Sequence, residues 1–315
     1  MHEIRLSPGQ TYPVPGRAFT GWLQVGLSGG LDFQVEIPDM ETRRRGAKVW
    51  LRNPAANTEI TISPGYGDTH FPTGTKLFVT LHVTTESGQE LQLEFPTFEV
   101  GGLKSFPAAV ILPGLDAVRI VVSESVNESN LDEDSAGVRS ALRRSIDRDS
   151  LPEGRRRDVV MIVDVTSSMQ NSTSREAFDA MCTFAAGVLS TSSGDRVLRL
   201  ATSSESFVPE PLSGPEAVRQ LAERDFSARE VGWSLEVGDL DPEAALVVIS
   251  DDLPAEVAAH PGVVHVLTQR PPVFTAGASV TVFDDKLISA VRDQNSEVLA
   301  RPTRGMFDAL TMGEK

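Results

Sequence analysis

Apolar and polar positions follow one period in the first part of the chain and another after about residue 157. Up to residue 123, short segments rich in Val, Thr, Leu and Phe are separated by Gly and Pro, and two of them show clear alternation. Because alternation places every second side chain on one face of a strand, these segments predict an all-β sandwich in residues 1–123. The predicted strands are residues 22–27, 31–37, 48–52, 59–62, 76–84, 90–98 and 117–122, with a hairpin turn at 85–89.

Residues 124–156 begin without either period. An acidic stretch with Ser and Asn predicts a solvated segment, and Val138, Leu142 and Ile146 then recur at four-residue spacing among arginines. That spacing puts the three apolar side chains on one side of a helix. We predict an acidic linker between two domains that contains one short amphipathic helix.

From residue 157 to 315, apolar runs alternate with segments of helical period. Continuous apolar runs are typical of strands buried in a parallel sheet, and their alternation with helices indicates such a sheet. The predicted strands are residues 159–163, 196–201, 245–250, 263–268 and 279–283, and the predicted helices are 175–189, 215–224, 255–260 and 285–299. The fold class that follows is an α+β multidomain protein, with an N-terminal all-β sandwich plus a C-terminal α/β domain built on a doubly wound parallel sheet.

Polar side chains follow the first of these buried strands at once. The apolar run 159–163 stops at Asp164, and Thr166 and Ser168 place two hydroxyls at alternate positions after it. Open α/β sheets bind their ligands at the carboxyl ends of the strands, which is where this loop is expected. One carboxylate and two hydroxyls are hard oxygen donors of the kind that Mg²⁺ or Mn²⁺ prefers.

A second group of carboxylates follows another buried strand. The apolar run 244–249 ends in Ser250, Asp251 and Asp252. Neighbouring strands would bring Asp164 and Asp251 to one rim, where two carboxylates repel each other unless a cation lies between them. The alternative is that both aspartates cap the helices that follow, a common role for Asp at a strand-to-helix turn.

Both motifs resemble the metal-ion-dependent adhesion site of von Willebrand factor A (vWA) domains. The run Asp-Val-Thr-Ser-Ser at 164–168 is similar to the family's Asp-x-Ser-x-Ser motif, with Thr for the first Ser. Ser-Asp-Asp at 250–252 is similar to the family's Thr-Asp-Gly, with Asp252 in place of the Gly. The resemblance covers about residues 157–315 and implies a vWA/Rossmann-like fold for them.

The third vWA motif is a loop that supplies a Thr ligand. Gly-Trp-Ser-Leu at 232–235 resembles the usual Gly-Gly-Thr-x-Leu and nominates Ser234, with Ser227 as the other candidate. In such a site the metal keeps an open coordination position, which an acidic side chain of a protein partner fills. The metal ligands that the resemblance implies are Asp164, Thr166, Ser168, Ser234 and Asp251.

The N-terminal half carries a weaker resemblance. Gly-Leu-Asp-Phe-Gln-Val-Glu at 30–36 is somewhat similar to the Gly-x-Asp-Phe-Asp segment of the calcium-binding β-sandwich family linked to tellurite resistance and stress response. Gln34 replaces the second Asp of that segment, so we do not expect bound Ca²⁺ in this domain. The alternative is that Asp32 and Glu36 are solvent-facing residues of an amphipathic strand.

Composition and charge limit the classes of partner and the cellular compartment that we expect for this protein. The 315-residue chain has a formal net charge of −15, and a surface this acidic disfavours nucleic acid and anionic membranes. The single cysteine, Cys182, excludes an intrachain disulfide and lies in a helical pattern that predicts a buried thiol. The sequence starts without a signal-peptide pattern, and no apolar run reaches the roughly 18 residues of a membrane span. We therefore expect a cytoplasmic protein.

The function that these resemblances imply is a non-enzymatic protein–protein interaction module, which binds partners through a divalent cation in a bacterial stress-response or assembly system. A second reading is a Mg²⁺-dependent phosphohydrolase that uses Asp164, although Thr166 stands where such an enzyme needs another carboxylate. A structural scaffold without metal is the third. Self-association is also open, with the acidic segment 128–134 supplying a carboxylate to a neighbouring molecule.

Overall fold

The chain divides into two compact units, Met1–Asn127 and Glu128–Lys315. The computed structural model describes residues 2–38, 41–52, 57–124, 131–149, 157–192, 198–205, 220–221 and 231–311. The first unit holds two mainly antiparallel sheets, and the second holds a parallel sheet with helices. The predicted mixture of a β-rich part and an α/β part is confirmed at this level.

The first unit is built from two sheets. One has the strand order β1-β9-β8-β3-β6-β5, with β10 also paired to β8, and the other has the order β2-β12-β11-β7-β4. The strands are β1 (His2–Arg5), β2 (Thr11–Pro15), β3 (Phe19–Leu27), β4 (Phe33–Glu36), β5 (Glu41–Arg45), β6 (Lys48–Arg52), β7 (Thr58–Pro64), β8 (Lys76–Thr85), β9 (Glu90–Glu94), β10 (Phe98–Glu99), β11 (Phe106–Leu112) and β12 (Ala117–Val122).

One hydrophobic core joins the two sheets. The alternation predicted in β8 is present, because Leu77, Val79, Leu81 and Val83 are buried while the residues between them are not. These side chains belong to the same core as apolar residues of the other sheet, such as Ile60 and Ile120. Two sheets that enclose one core form a sandwich, the layered arrangement that alternating strands favour.

The hydrophobic pattern does not predict β11, which lies inside its sheet between β7 and β12. Pro107 near its start cannot donate a ladder hydrogen bond and argues against an inner strand. The structure accommodates the proline through a shift of register between Pro107 and Ala109, where β11 pairs with β7. The pattern also does not predict β1, β2 and β5, because these strands are short and largely exposed or polar.

The second unit contains a five-stranded parallel sheet in the order β14-β13-β15-β16-β17. Each predicted strand is present within two residues of its predicted ends, whereas the helix predicted at 215–224 lies outside the described residues apart from 220–221. The elements are α1 (Glu133–Ile146), β13 (Val159–Val163), α2 (Ser167–Ser172), α3 (Arg175–Ser192), β14 (Leu198–Thr202), β15 (Ala245–Ile249), α4 (Ala255–Ala258), β16 (Val264–Thr268), β17 (Ser279–Val282), α5 (Asp285–Arg292) and α6 (Ser296–Leu310).

Successive residues of β13 enter two different cores. Val159, Met161 and Val163 pack with apolar side chains of the long helices on one face of the sheet. Val160 and Ile162 pack on the other face, with Leu235 among their neighbours. Both faces of the strand are therefore dry, which explains why the run is apolar throughout rather than alternating.

Two helices differ from their predictions. Helix α1, expected in a linker, packs against α3 and α6, and Val138 and Leu142 lie in the core of the second unit. The helix predicted at 285–299 is two helices, α5 and α6. The helix is interrupted between them because Gln294 takes a positive φ of 52°. The side chain of Asn295 then accepts hydrogen bonds from Glu297 N and Val298 N at the start of α6.

Cys182 lies in α3 and is buried, as predicted. Burial raises the pKa of its thiol to about 12, so the thiol stays protonated near neutral pH and is a poor nucleophile. In the part of the chain that the structure describes, no helix is both long enough and apolar enough to span a membrane.

Helices α1 and α3 approach each other closely at Gly187. A Cβ atom built on this glycine would lie 2.6 Å from Val138 Cβ and 2.7 Å from Ser135 O. Real Cβ atoms do not approach other atoms so closely, so any larger residue would force the helices apart. The missing side chain therefore allows α1 to pack into the second unit.

We expect Gly187→Ala to lower the free energy of unfolding by about 1–3 kcal/mol, because the overpacked helices must shift. Gly305→Ala is the matched control, since Gly305 lies in α6 and an added Cβ would meet no atom within 4 Å. Alanine in that helix should stabilise the protein by roughly 0.5–1 kcal/mol. Urea denaturation followed by circular dichroism measures both, and equal effects would contradict the close helix contact.

Candidate metal centre

The carboxyl ends of three neighbouring strands meet at one edge of the parallel sheet. Asp164 N, after β13, donates to Ile249 O of β15 at 2.9 Å. Ser203 N, after β14, donates to Val163 O of β13 at 3.0 Å. β13 comes first in the sequence but lies between β14 and β15, and such a reversal of strand order leaves a crevice in which ligands bind.

Asp164 is a buried hydrogen-bond acceptor at the centre of this edge, with 3% of its surface exposed. Its Oδ1 accepts from Thr166 N at 2.9 Å and from Ser203 Oγ at 3.4 Å. Its Oδ2 accepts from Ser250 Oγ at 2.7 Å. Each of the three strand ends thus supplies one donor, and these donors compensate for the removal of the carboxylate from water.

Thr166 and Ser168 lie side by side on the loop that leaves β13. Thr166 is buried and is the N-cap of α2, where its Oγ1 accepts from Met169 N at 3.4 Å. Ser168 is exposed, and its Oγ lies 2.9 Å from Thr166 Oγ1. The two hydroxyls that the sequence nominated are therefore adjacent, with one inside the protein and one at its surface.

Asp251 is tied to the same loop through Ser172 of α2. Ser172 Oγ lies 2.8 Å from Asp251 Oδ2 and 2.7 Å from Ser168 O. The single hydroxyl proton can serve one of these acceptors at a time. The contact holds Asp251, which is partly exposed, beside the loop that carries Thr166 and Ser168.

Neither aspartate acts as a helix cap. The N-cap of α2 is Thr166, and the N-cap of α4 is Pro254. The alternative interpretation of Asp164 and Asp251 as two N-caps is therefore wrong. Their carboxylates instead accept hydrogen bonds from the hydroxyls of Ser250 and Ser172 at the crevice.

Ser234 reaches this edge through its main chain. Ser234 N and Leu235 N both contact Ser203 O, at 2.8 and 3.3 Å. The hydroxyl of Ser203 contacts Asp164, so Ser203 links the main chain of the Ser234 loop to the buried carboxylate. The Ser234 side chain is exposed, and Ser227, the other candidate, lies outside the described residues.

Three serines of this network are not among the ligands predicted from the sequence. Ser203 accepts from Val165 N at 3.0 Å and contacts Asp164, Ser250 contacts Asp164, and Ser172 contacts Asp251. The signal for Ser203 was the run Thr-Ser-Ser at 202–204, which places hydroxyls at a strand end. Ser172 had no comparable signal, because its position depends on α2, a helix that the periodicity did not predict.

The donors gathered here are oxygens only, and few of them carry charge. Among the described residues, no Lys, Arg or His forms an ion pair with Asp164 or Asp251. The same residues contain no group of three or more His, Cys, Asp or Glu that could hold a metal ion. A cation at this edge would therefore have two carboxylates and several hydroxyls, a donor set that suits a hard divalent ion bound weakly.

Asp32, the acidic residue of the weaker N-terminal resemblance, lies in the other unit and pairs with Arg44. Arg44 Nη2 is 2.8 Å from Asp32 Oδ1, and this hydrogen bond is the main reason why the pKa of Asp32 lies below its usual value. Asp32 and Glu36 are both exposed. The alternative that these two side chains face solvent is confirmed, although only Glu36 lies in a strand, β4, and Asp32 precedes it.

Comparisons with known proteins add no family to this picture. No protein-family model matches the chain, and no curated protein matches it.

Removal of the Thr166 hydroxyl should loosen the start of α2. In Thr166→Val the Met169 amide loses its acceptor, and we expect a cost of about 1 kcal/mol, seen as roughly fivefold faster hydrogen exchange in peptides that cover 167–172. Thr166→Ser keeps the hydroxyl and should exchange like the wild type. Equal exchange in both variants would show that the cap does not hold this loop.

Proposed function

We propose that this protein is a non-enzymatic protein-interaction module of the vWA kind, in which the edge of the parallel sheet binds Mg²⁺ or Mn²⁺. Thr166 and Ser168 would hold the ion through their hydroxyls, with Asp164, Asp251 and Ser234 acting directly or through water. The bound ion would offer an open coordination position to a carboxylate of a protein partner. The motifs at 164–168 and 250–252 and the geometry of their hydroxyls support this proposal.

The observation that carries the proposal is the spacing of the Thr166 and Ser168 hydroxyls. Mg²⁺ binds oxygens octahedrally at about 2.0–2.1 Å, so two adjacent ligands lie about 2.9 Å apart. The two hydroxyl oxygens lie 2.9 Å apart without any rearrangement. In the absence of an ion this distance is a hydrogen bond, so one arrangement serves both states.

The charge of the site supports a partner with an acidic side chain. Two carboxylates balance the charge of a divalent cation in number, but Asp164 is buried and accepts hydrogen bonds from three donors, which already compensate part of its charge. A further carboxylate would complete the coordination shell and supply the remaining charge. We therefore expect weak binding of the ion alone and tighter binding with the partner.

The strand order supports the vWA/Rossmann-like part of the proposal. The first strand of the sheet has the second on one side and the third on the other, and the site lies at that point of reversal. One feature departs from a regular doubly wound domain. In the described part of the chain, the second face is packed with the segment 233–240 and the short helix α4 rather than with a long helix.

The phosphohydrolase alternative has less support. An aspartyl nucleophile needs an unshielded carboxylate oxygen, but both oxygens of Asp164 accept hydrogen bonds and the residue is buried. The residue two positions later, where a carboxylic acid would be needed for proton transfer, is the helix cap Thr166. The metal titration described below distinguishes a metal-free scaffold from a metal-dependent interaction module.

The cellular setting is a proposal of the same kind. The likeness of residues 30–36 to the tellurite-resistance and stress-response family, together with the vWA-like motifs, supports a role in a bacterial stress-response or assembly system in the cytoplasm.

Titration of Mn²⁺ into the full chain, followed by calorimetry and by electron paramagnetic resonance of the free ion, tests the site. We expect saturable binding that weakens at least tenfold in Asp164→Asn, because the amide keeps the size of the side chain but removes its charge. Asp252→Asn is the matched control. Asp252 is exposed, and its carboxylate accepts from Leu253 N at 2.8 Å without belonging to the proposed ligands.

Four outcomes would overturn the proposal. Equal loss of binding in Asp252→Asn would mean that general acidity holds the ion. Full binding in Asp164→Asn would place the ion elsewhere. Phosphatase turnover that needs Asp164 would favour the enzyme, and a folded chain that takes no metal even with an acidic partner would favour the scaffold.

A further inference from the structure

A row of aromatic and basic side chains crosses the outward face of the larger sheet in the first unit. Arg43 of β5 is paired with Trp50 of β6, Trp50 with Trp22 of β3, and Trp22 with His82 of β8. Residues directly opposite each other on neighbouring strands have Cβ atoms about 4.5–5.5 Å apart. The four side chains therefore form one continuous row over four strands.

Trp22 is fixed at the centre of this row. The His82 ring stacks on it, with ring centroids 3.6 Å apart and an angle of 15° between the planes. Lys48 Nζ lies 3.8 Å from the Trp22 ring centroid, in a cation–π contact. Burial and the Lys48 charge lower the pKa of His82, so the stacked imidazole is neutral at neutral pH. The stack thus holds an ammonium group beside Trp50, two residues further along β6.

Trp50 borders an open groove. The groove has a volume of about 850 Å³ and is lined by Trp22, Trp50, Arg43, Arg45 and the threonines at 20 and 42. Trp50 is 39% exposed, a large fraction for an indole ring that lies within a sheet. None of the described residues forms an ion pair with Arg43, Arg45 or Lys48. The groove therefore offers an exposed ring and two arginine cations to a ligand, while the Lys48 ammonium lies over the Trp22 ring.

Basic residues outnumber acidic ones on this half of the face. Glu41 begins β5, at the end of the row of alternate residues that holds Arg43 and Arg45, whereas Glu90 and Glu94 of β9 and Glu3 of β1 lie on the other side of β8, and Glu94 pairs with Arg5. Charges on an edge strand such as β5 protect a sheet from pairing with another chain. That role explains Arg43 and Arg45, but it does not require an exposed tryptophan in the same row.

We propose that this face binds single-stranded nucleic acid, with Trp50 stacking on a base and Arg43 and Arg45 contacting the phosphates. Single strands expose both base faces and backbone charge, and proteins bind them with aromatic platforms beside basic grooves. An acidic polypeptide would use the cations and leave the exposed indole without a role. The proposal concerns the first unit alone and does not depend on the metal centre.

Fluorescence anisotropy of a labelled oligothymidylate, titrated with the full chain at low salt, tests the proposal. We expect saturable binding that Trp50→Ala weakens about tenfold or more, because it removes the stacking platform. Trp50→Phe keeps an aromatic ring and should retain most of the binding. The double variant Arg43→Gln/Arg45→Gln should weaken binding and reduce the slope of log K against log salt by about 1.4, as expected for the loss of two phosphate contacts on a single strand.

Tyr66→Ala and Arg119→Gln are matched controls, since both residues are exposed and lie outside the groove, with Arg119 on the other sheet. Both should bind like the wild type, and circular dichroism should show the same fold for every variant. The proposal is overturned by an absence of binding at low salt, by wild-type affinity in Trp50→Ala, or by equal losses in the controls. Equal competition by polyglutamate would make an acidic polypeptide the ligand, and equal competition by thymidine monophosphate a free nucleotide.

Discussion

The hydrogen bonding of the buried Asp164 carboxylate is the interaction on which the candidate site of the second unit depends. A charge removed from water is stable only among polar groups that replace its hydration. Here the donors come from the ends of three adjacent strands: the Thr166 amide after β13, and the hydroxyls of Ser203 and Ser250 after β14 and β15. The carboxylate therefore holds three loops together, and these loops carry the other candidate ligands.

Local pattern was enough to predict the strands of this site, but not its full set of contacts. β13 and β15 are dry on both faces, so their apolar runs are uninterrupted and the polar residues that follow them stand out. The spacing does not show which side chains Ser203 and Ser172 contact, because the strand order brings Ser203 to Asp164 and helix α2 brings Ser172 to Asp251. An arrangement that arises from non-local pairing cannot be read from spacing along the chain.

The helices show the same limit. The four-residue spacing in α1 predicted an apolar face, yet it did not reveal that the face packs against α3 across Gly187. The break between α5 and α6 depends on one left-handed residue, Gln294, and its neighbour Asn295, which caps the next helix. In β11, a register shift removes the conflict that Pro107 would otherwise create. In each case a local exception changed the result that the pattern predicted.

The net charge of the whole chain does not predict the charge of each part of its surface. The formal net charge of −15 led to the expectation that nucleic acid is not a partner. The register of β5, β6 and β3 nevertheless brings Arg43, Trp50 and Trp22 into one row, although Trp22 is far from the other two in sequence. Paired strands can gather basic side chains on one face while the acidic excess lies elsewhere, so the charge of a face follows from pairing.

The central claim is that Thr166 and Ser168 form the corner of a cation site next to Asp164. The most direct test is a crystal structure of the full chain grown with Mn²⁺ and measured at an energy where manganese scatters anomalously. The account predicts one anomalous peak about 2.1–2.2 Å from both hydroxyl oxygens, with the carboxylates of Asp164 and Asp251 in direct or water-mediated contact. A peak at another place in the second unit, or none at saturating Mn²⁺ with the crevice open to solvent, would contradict it.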